Sequence, residues 1–173
     1  QPEKISVIPH GVDLGRFDRE YPTGLRETYG IPAEISILVY HGIYSYRPNL
    51  ESIEVMATEI RPRLKARGIA VKGCAIGPEP PPSSPHPDVI FTGSVDELAP
   101  FIKSADLAVV PLQQGGGTRM KILEYFAAKV PVITTAKGIE GIPVEHGVHA
   151  LILDSFPAPG QEVFLYAAED DGV

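Results

Sequence analysis

Short, almost wholly apolar runs recur along this chain, and helix-like segments lie between them. Lys4–Ile8, Ile35–Tyr40, Ala70–Ile76, Val89–Thr92, Leu107–Pro111, Pro131–Thr135 and Ala150–Leu153 read as strands. A strand with one wet face alternates apolar and polar residues. These runs are mostly continuous, as a parallel sheet covered on both faces requires. The clearest helix is Asn49–Lys65, where Leu50, Ile53, Ala57, Ile60 and Leu64 are spaced three and four apart. Pro48 suits its start, and Pro62 is expected to bend or shorten its last turn. Ser94-Val95-Asp96-Glu97 has the form of a capping box opening a helix through Ser104, with Leu98, Phe101, Ile102 and Ala105 as its apolar face. Repeated strand–helix units predict an α/β fold, a doubly wound, mostly parallel sheet flanked by helices. Pro78–Pro87, with six prolines, reads as a surface loop, and Glu169–Val173 as a frayed tail.

The 173 residues, 43% of them hydrophobic, suit one domain over 1–173. The chain starts without Met inside an ordered-looking segment, Ile5–Pro9, so a piece of a longer protein is expected. A net charge of −7 with no basic run argues against nucleic acid as a partner. The single Cys74 sits in an expected strand and reads as a core thiol. No signal peptide or membrane-spanning run is visible, and a cytoplasmic setting is expected.

The chemistry concentrates at Gly115-Gly116-Gly117-Thr118-Arg119-Met120-Lys121-Ile122-Leu123-Glu124, between the strand Leu107–Pro111 and a helix expected over 119–128. Three successive glycines remove every β-carbon from the turn, so a bulky anion can approach the backbone. The N–H groups at the helix start then face that anion, and the helix dipole favours negative charge there. In an α/β sheet, ligands bind beyond the carboxyl ends of the strands, where this loop and His41-Gly42 both lie. On the helical wheel Met120, Ile122, Leu123, Phe126 and Ala127 form the packing face. Gly117, Lys121, Glu124 and Ala128 form a narrow stripe opposite. Lys121 and Glu124 read either as a solvated pair three residues apart or as a cation and a diol acceptor for a phosphorylated sugar or nucleotide. The triple glycine favours the second. Arg119 is left between phosphate contact and structural ion pair. The dinucleotide fingerprint fails, since Met120 stands at its last glycine and the next strand ends in Thr134-Thr135. His146 and His149 lack a third ligand, and no metal or other cofactor is expected. His10 and His41 precede glycines and read as turn or interface residues.

The segment "GGGTRMKILEYFAAKVPVITT" at 115–135 resembles the donor-site region of family 4 (group 1) glycosyltransferases. So do "VIPHGVDLGRF" at 7–17, "YHGIYSYRPNLESI" at 40–53, "VIFTGSVDEL" at 89–98 and "SADLAVVPL" at 104–112. The resemblance implies the Rossmann-like, C-terminal half of a GT-B enzyme that binds a nucleotide-sugar donor and transfers the sugar with retention. An acceptor-binding N-terminal half would complete the cleft, and any peripheral membrane contact would come through it. Glu124 would hold the ribose hydroxyls. Gly116, Gly117 and Thr118 would approach the diphosphate or sugar, with Lys121 assisting. Gly42 would admit the diphosphate from the other side, and Ser94 and Val95 would lie at the base. Many relatives carry a glutamate where this chain has Gly116, and an Arg/Lys pair where it offers Tyr44, Tyr46, Arg47 and Asn49, leaving Arg47 as the cation of that turn. Two other readings stay open. One is a nucleotide-sugar epimerase half, which would need its own acid/base carboxylates. The other is a non-catalytic, flavodoxin-like interaction module.

Overall fold

The continuous apolar runs become neighbouring strands of one sheet. A computed structural model describes residues 6, 8–81 and 86–153. Its strands are β1 (Ser36–His41), β2 (Val71–Ile76), β3 (Val89–Phe91), β4 (Leu107–Val110), β5 (Val132–Thr135) and β6 (Leu151–Leu153). No end departs from its expected position by more than one residue. The order is β3-β2-β1-β4-β5-β6, with every neighbouring pair parallel. Ile37, Val39, Cys74, Ala108, Val109 and Val110 are wholly buried, which is why their runs show no alternation. Cys74 is the expected core thiol, and burial pushes its pKa up to about 12. The strand at Lys4–Ile8, apart from Ser6 and Ile8, and the tail at Glu169–Val173 lie outside the described residues. So does part of the Pro78–Pro87 loop, whose described residues are neither helix nor strand.

The order steps from β1 to β2 to β3, then returns to place β4 against the free side of β1. Loops leaving β1 and β4 therefore part in opposite directions and open a crevice beyond the sheet. This is the topological switch point.

The helix expected over Asn49–Lys65 runs as α3 (Arg47–Val55), a π-helical turn (Met56–Ile60) and α4 (Arg61–Ala66). Pro62 does not end it. A proline inside a regular helix loses one hydrogen bond and drives its ring into the preceding turn. The π turn widens the helix just ahead of Pro62, and α4 restarts with that proline in its first turn. Ile53, Met56, Ala57, Ile60 and Leu64 are buried, while Leu50 stays 38% exposed.

The capping-box expectation fails. Helix α5 spans only Ala99–Lys103, with Leu98 as N-cap and no side-chain cap. A helix starting at Val95 would place Pro100 in its interior, whereas starting at Ala99 puts it in the first turn, where no N–H is needed. Helices α1 (Leu14–Asp18) and α2 (Leu25–Tyr29) are too short for a periodic signal. Each buries one anchor, Phe17 and Leu25, and both pack near α5. Helix α6 (Met120–Ala127) matches the helix expected after the glycines. Among the described residues no helix is long and apolar enough to cross a membrane.

Candidate functional site

A cavity of about 360 Å³ fills the crevice between the β1 and β4 loops, lined by His41, Gly42, Tyr46, Asn49, Gln114, Gly116, Thr118, Arg119, Lys121 and Glu124, among others. A second, of about 240 Å³, adjoins it and shares His41, Gly42 and Ile43. Ser94 and Val95 line only the second. A larger groove, about 660 Å³, lies at the opposite end of the sheet. Its walls are mostly apolar, including Leu64, Ile69, Val132 and Val148, so the convergent polar chemistry belongs to the smaller cavities.

The glycines do different work. Gly115 and Gly117 have φ of 110° and 90°, a region that β-carbons disfavour. A β-carbon on Gly115 would lie 2.7 Å from the Tyr46 hydroxyl, whereas Gly116 and Gly117 face open space. Gly116 donates its N–H to Tyr46 Oη at 3.3 Å. Gly77 carries no signal in the sequence. A β-carbon there would sit 2.0 Å from the Gly42 carbonyl oxygen, so the turns after β1 and β2 pack backbone on backbone.

Arg119 resolves to a structural role. It is 5% exposed and donates to the carbonyls of Gly115, Gly116 and Lys137 at 3.1, 3.2 and 3.0 Å. It also reaches Glu140 Oε2 at 3.2 Å. Its guanidinium thus ties the glycine loop to the segment after β5. Thr134 and Thr135 serve the same end, donating to the carbonyls of Val110 and Leu112. As N-cap of α6, Arg119 offers no side-chain cap, so no side chain takes the N–H groups of Met120 and Lys121, two residues that line the cavity.

Lys121 and Glu124 both line the cavity but turn to different partners. Lys121 Nζ donates to Tyr40 Oη at 2.5 Å and to Asn49 Oδ1 at 3.0 Å. The Tyr40 hydroxyl donates in turn to Asn49 Oδ1 at 2.6 Å. Burial, then the nearby Arg119 charge, lower the Lys121 pKa to about 7, with Glu124 opposing weakly. Glu124 Oε2 lies 2.8 Å from His41 Nε2. The stripe is therefore a pair of polar anchors rather than a solvated pair.

Gly42, Gly116, Thr118, Lys121 and Glu124 thus come together at one cavity, and Gly117 adjoins them in the loop. Arg47 does not join them. Its side chain is 85% exposed and paired with Glu51 at 2.7 Å, one helical turn along. The first turn of α3 points it to solvent, while Asn49, two residues on, turns inward. Sequence reasoning placed His41 at the ligand-binding end of the sheet but read it as a turn or interface residue, and it missed Tyr40 as the partner of Lys121, because both lie in a strand whose alternation is hidden by two-sided burial. His146 and His149 accept backbone N–H bonds through Nδ1, from Ile152 and Glu145, and so brace the turn before β6. Among the described residues no group of three His, Cys, Asp or Glu side chains could hold a metal ion.

The sequence pattern of the family described as glycosyl transferases group 1 matches residues 36–160, well over half of the chain. The chain belongs to this family. A relative, the D-inositol 3-phosphate glycosyltransferase of Thermobispora bispora, is 27% identical over 178 aligned positions, covering 88% of this chain and 39% of the relative. Among solved structures, WaaG, a glycosyltransferase involved in lipopolysaccharide biosynthesis, is similar with a TM-score of 0.61 at 23% identity, over 79% of this chain and 39% of WaaG. HepE of Anabaena, solved in complex with UDP and glucose, is similar with a TM-score of 0.64 at 17% identity, over 90% of this chain and 44% of HepE. At these identities the two structures share the fold, the Rossmann-like half of a GT-B glycosyltransferase. The group 1 chain described here spans about two fifths of the length of the relatives it matches.

Proposed function

We propose that this chain is the donor-binding unit of a retaining glycosyltransferase, holding a nucleoside diphosphate sugar for transfer to a hydroxyl acceptor on a glycan, a lipid or another molecule. The observation that carries the reading is the meeting of the uncapped α6 start, the open faces of Gly116 and Gly117, Lys121 and Glu124 at one cavity on the switch point. Helix N–H groups and an ammonium can take the charge that develops on a departing diphosphate. Glu124 can accept from two vicinal ribose hydroxyls. Ser94 and Val95, on the adjoining cavity, suit another part of the donor. No metal is invoked: the N–H groups and Lys121 supply the positive field. That HepE is solved in complex with UDP and glucose supports a nucleotide-sugar donor.

Calorimetric titration of nucleoside diphosphates into wild type and Glu124→Ala, with and without a chelator, tests this. At a hundredfold excess over Kd the bound ligand is expected to add about 2.7 kcal/mol to unfolding stability. Glu124→Ala is expected to weaken binding by roughly 1.5–3 kcal/mol, as for hydrogen bonds to a charged group. Chelator should leave affinity unchanged. Absence of binding by wild type at millimolar ligand overturns the donor reading; loss of affinity in chelator overturns the metal-free part of it.

A further inference from the structure

His41 closes β1 directly before Gly42, at the boundary between the two cavities. Its Nε2 lies 2.8 Å from Glu124 Oε2. Its ring stands edge-on to Tyr125, centroids 4.9 Å apart at 78°. Its backbone N–H donates to the Tyr125 hydroxyl at 2.9 Å. One strand-end residue is thus keyed to two successive residues of α6. The ring's Nδ1 is buried and has no hydrogen-bond partner among the described residues.

These contacts select the tautomer. A neutral imidazole has one N–H and one bare lone pair. With the proton on Nε2, the carboxylate accepts it and only a lone pair is left unmatched. The other tautomer would bury an unpaired N–H and set two acceptors 2.8 Å apart. The doubly protonated ring would orphan an N–H at Nδ1, and burial holds the His41 pKa below its ordinary value. His41 is therefore a fixed donor aimed at Glu124. A glutamate free to rotate at a cavity wall must be ordered when a ligand binds, at a cost in affinity. A donor on Oε2 orders it beforehand and leaves Oε1 and further lone pairs for the ligand.

We propose that His41 is a positioning residue, which holds the Glu124 carboxylate in the orientation that accepts from two adjacent hydroxyls of the ligand and so favours a ribonucleotide over its dideoxy analogue. This rests on the donor-site reading above. The test titrates the adenosine, cytidine, guanosine and uridine diphosphates, their dideoxy counterparts and inorganic pyrophosphate into wild type, His41→Leu and His41→Gln. His41→Leu is expected to lose about tenfold in affinity for the preferred ribonucleotide, as for one hydrogen bond to a charged acceptor. Dideoxy and pyrophosphate affinities should hold. His41→Gln, whose amide returns an N–H near the Nε2 position, should recover most of the loss. If His41→Leu does not fold, His41→Asn, whose shorter amide falls away from Glu124, reads the same ribo-to-dideoxy ratio. An unchanged ratio in the donor-less variant, or equal weakening of both ligands, overturns the positioning role while the donor site stands. A wild type that binds ribo and dideoxy ligands alike removes Glu124 from the ribose, and this proposal with it.

Discussion

Lys121 shows how far a side chain's surroundings can depart from its place on a helical wheel. The wheel puts it opposite the packing face of α6, where a lysine is usually solvated. Here the strand end and α3 close over that side, and Tyr40 and Asn49 take its ammonium. Neither is an anion, so burial dominates and draws the pKa from its ordinary 10.5 to about 7. The charged groups nearest it are Arg119, which adds to the lowering, and Glu124, which opposes it. The unfolded chain binds more protons at this residue between pH 7 and 10.5, so wild-type stability is expected to rise across that window. Lys121→Met removes the slope. The variant should be the more stable one at pH 6, by an amount on the order of a few kcal/mol, with the advantage gone by pH 10.5. Urea unfolding of both proteins at several pH values checks it; parallel pH profiles would refute the buried-cation account. The same geometry predicts that a bound diphosphate, placed beside the ammonium, draws a proton onto it at pH 8. Titration in buffers of different ionisation enthalpy measures that uptake, which Lys121→Met should abolish.

At the scale of elements, two prolines and one arginine decide where helices start and how the loop is held. Pro62 sits just past a π turn and Pro100 in the first turn of α5, so each proline is placed where its missing N–H and its ring do least harm. Arg119 performs a different task. A planar guanidinium donates to three carbonyls and a carboxylate at once, which a lysine ammonium on a flexible stem cannot reproduce. Arg119→Ala is expected to cost about 2–3 kcal/mol of stability, since it strands part-buried carbonyls. Arg119→Lys should recover less than half. Ligand affinity should fall in both, because the glycine loop loses its tie to the segment after β5. Denaturant midpoints together with a nucleoside diphosphate titration read the two effects. Full stability in Arg119→Ala would show that the loop holds its shape without it.

At the scale of the molecule, little in the cavity can activate an acceptor hydroxyl. In the donor-site reading Glu124, held by His41, and Lys121, held by Tyr40 and Asn49, serve the donor, and Gly116 carries no side chain. Closing a cleft over donor and acceptor supplies orientation worth several kcal/mol. The 173-residue chain is therefore expected to bind donor and transfer no sugar above background, while a chain that also carries the acceptor-binding unit transfers with retention at the anomeric carbon. Incubation with radiolabelled donors and candidate lipid or sugar acceptors distinguishes them, and turnover by the 173 residues alone would overturn the two-unit account.

The strands were legible from the sequence because burial on both faces writes itself as an unbroken apolar run, as at Leu107–Val110. The glycine loop was legible because glycine's backbone freedom is a property of the residue itself, and the helix after it because its period is local. Where local rules compete, the sequence was ambiguous: the Ser94–Glu97 capping box lost to Pro100, and only the folded chain shows which start α5 takes. The partners of the polar residues were beyond it altogether. His41 meets Glu124 across 83 positions, and Lys121 meets Tyr40 across 81. Such pairs leave no periodicity, because they form only when the reversal of strand order sets β1 beside β4 and turns α6 toward the end of β1. The sequence by itself determined the strands of the sheet, the long helix before β2, and that a glycine turn and a helix follow β4. The tertiary structure decided which side chains that turn faces, because contact between distant residues depends on sheet order, and sheet order is a global minimum of packing that no local stretch encodes.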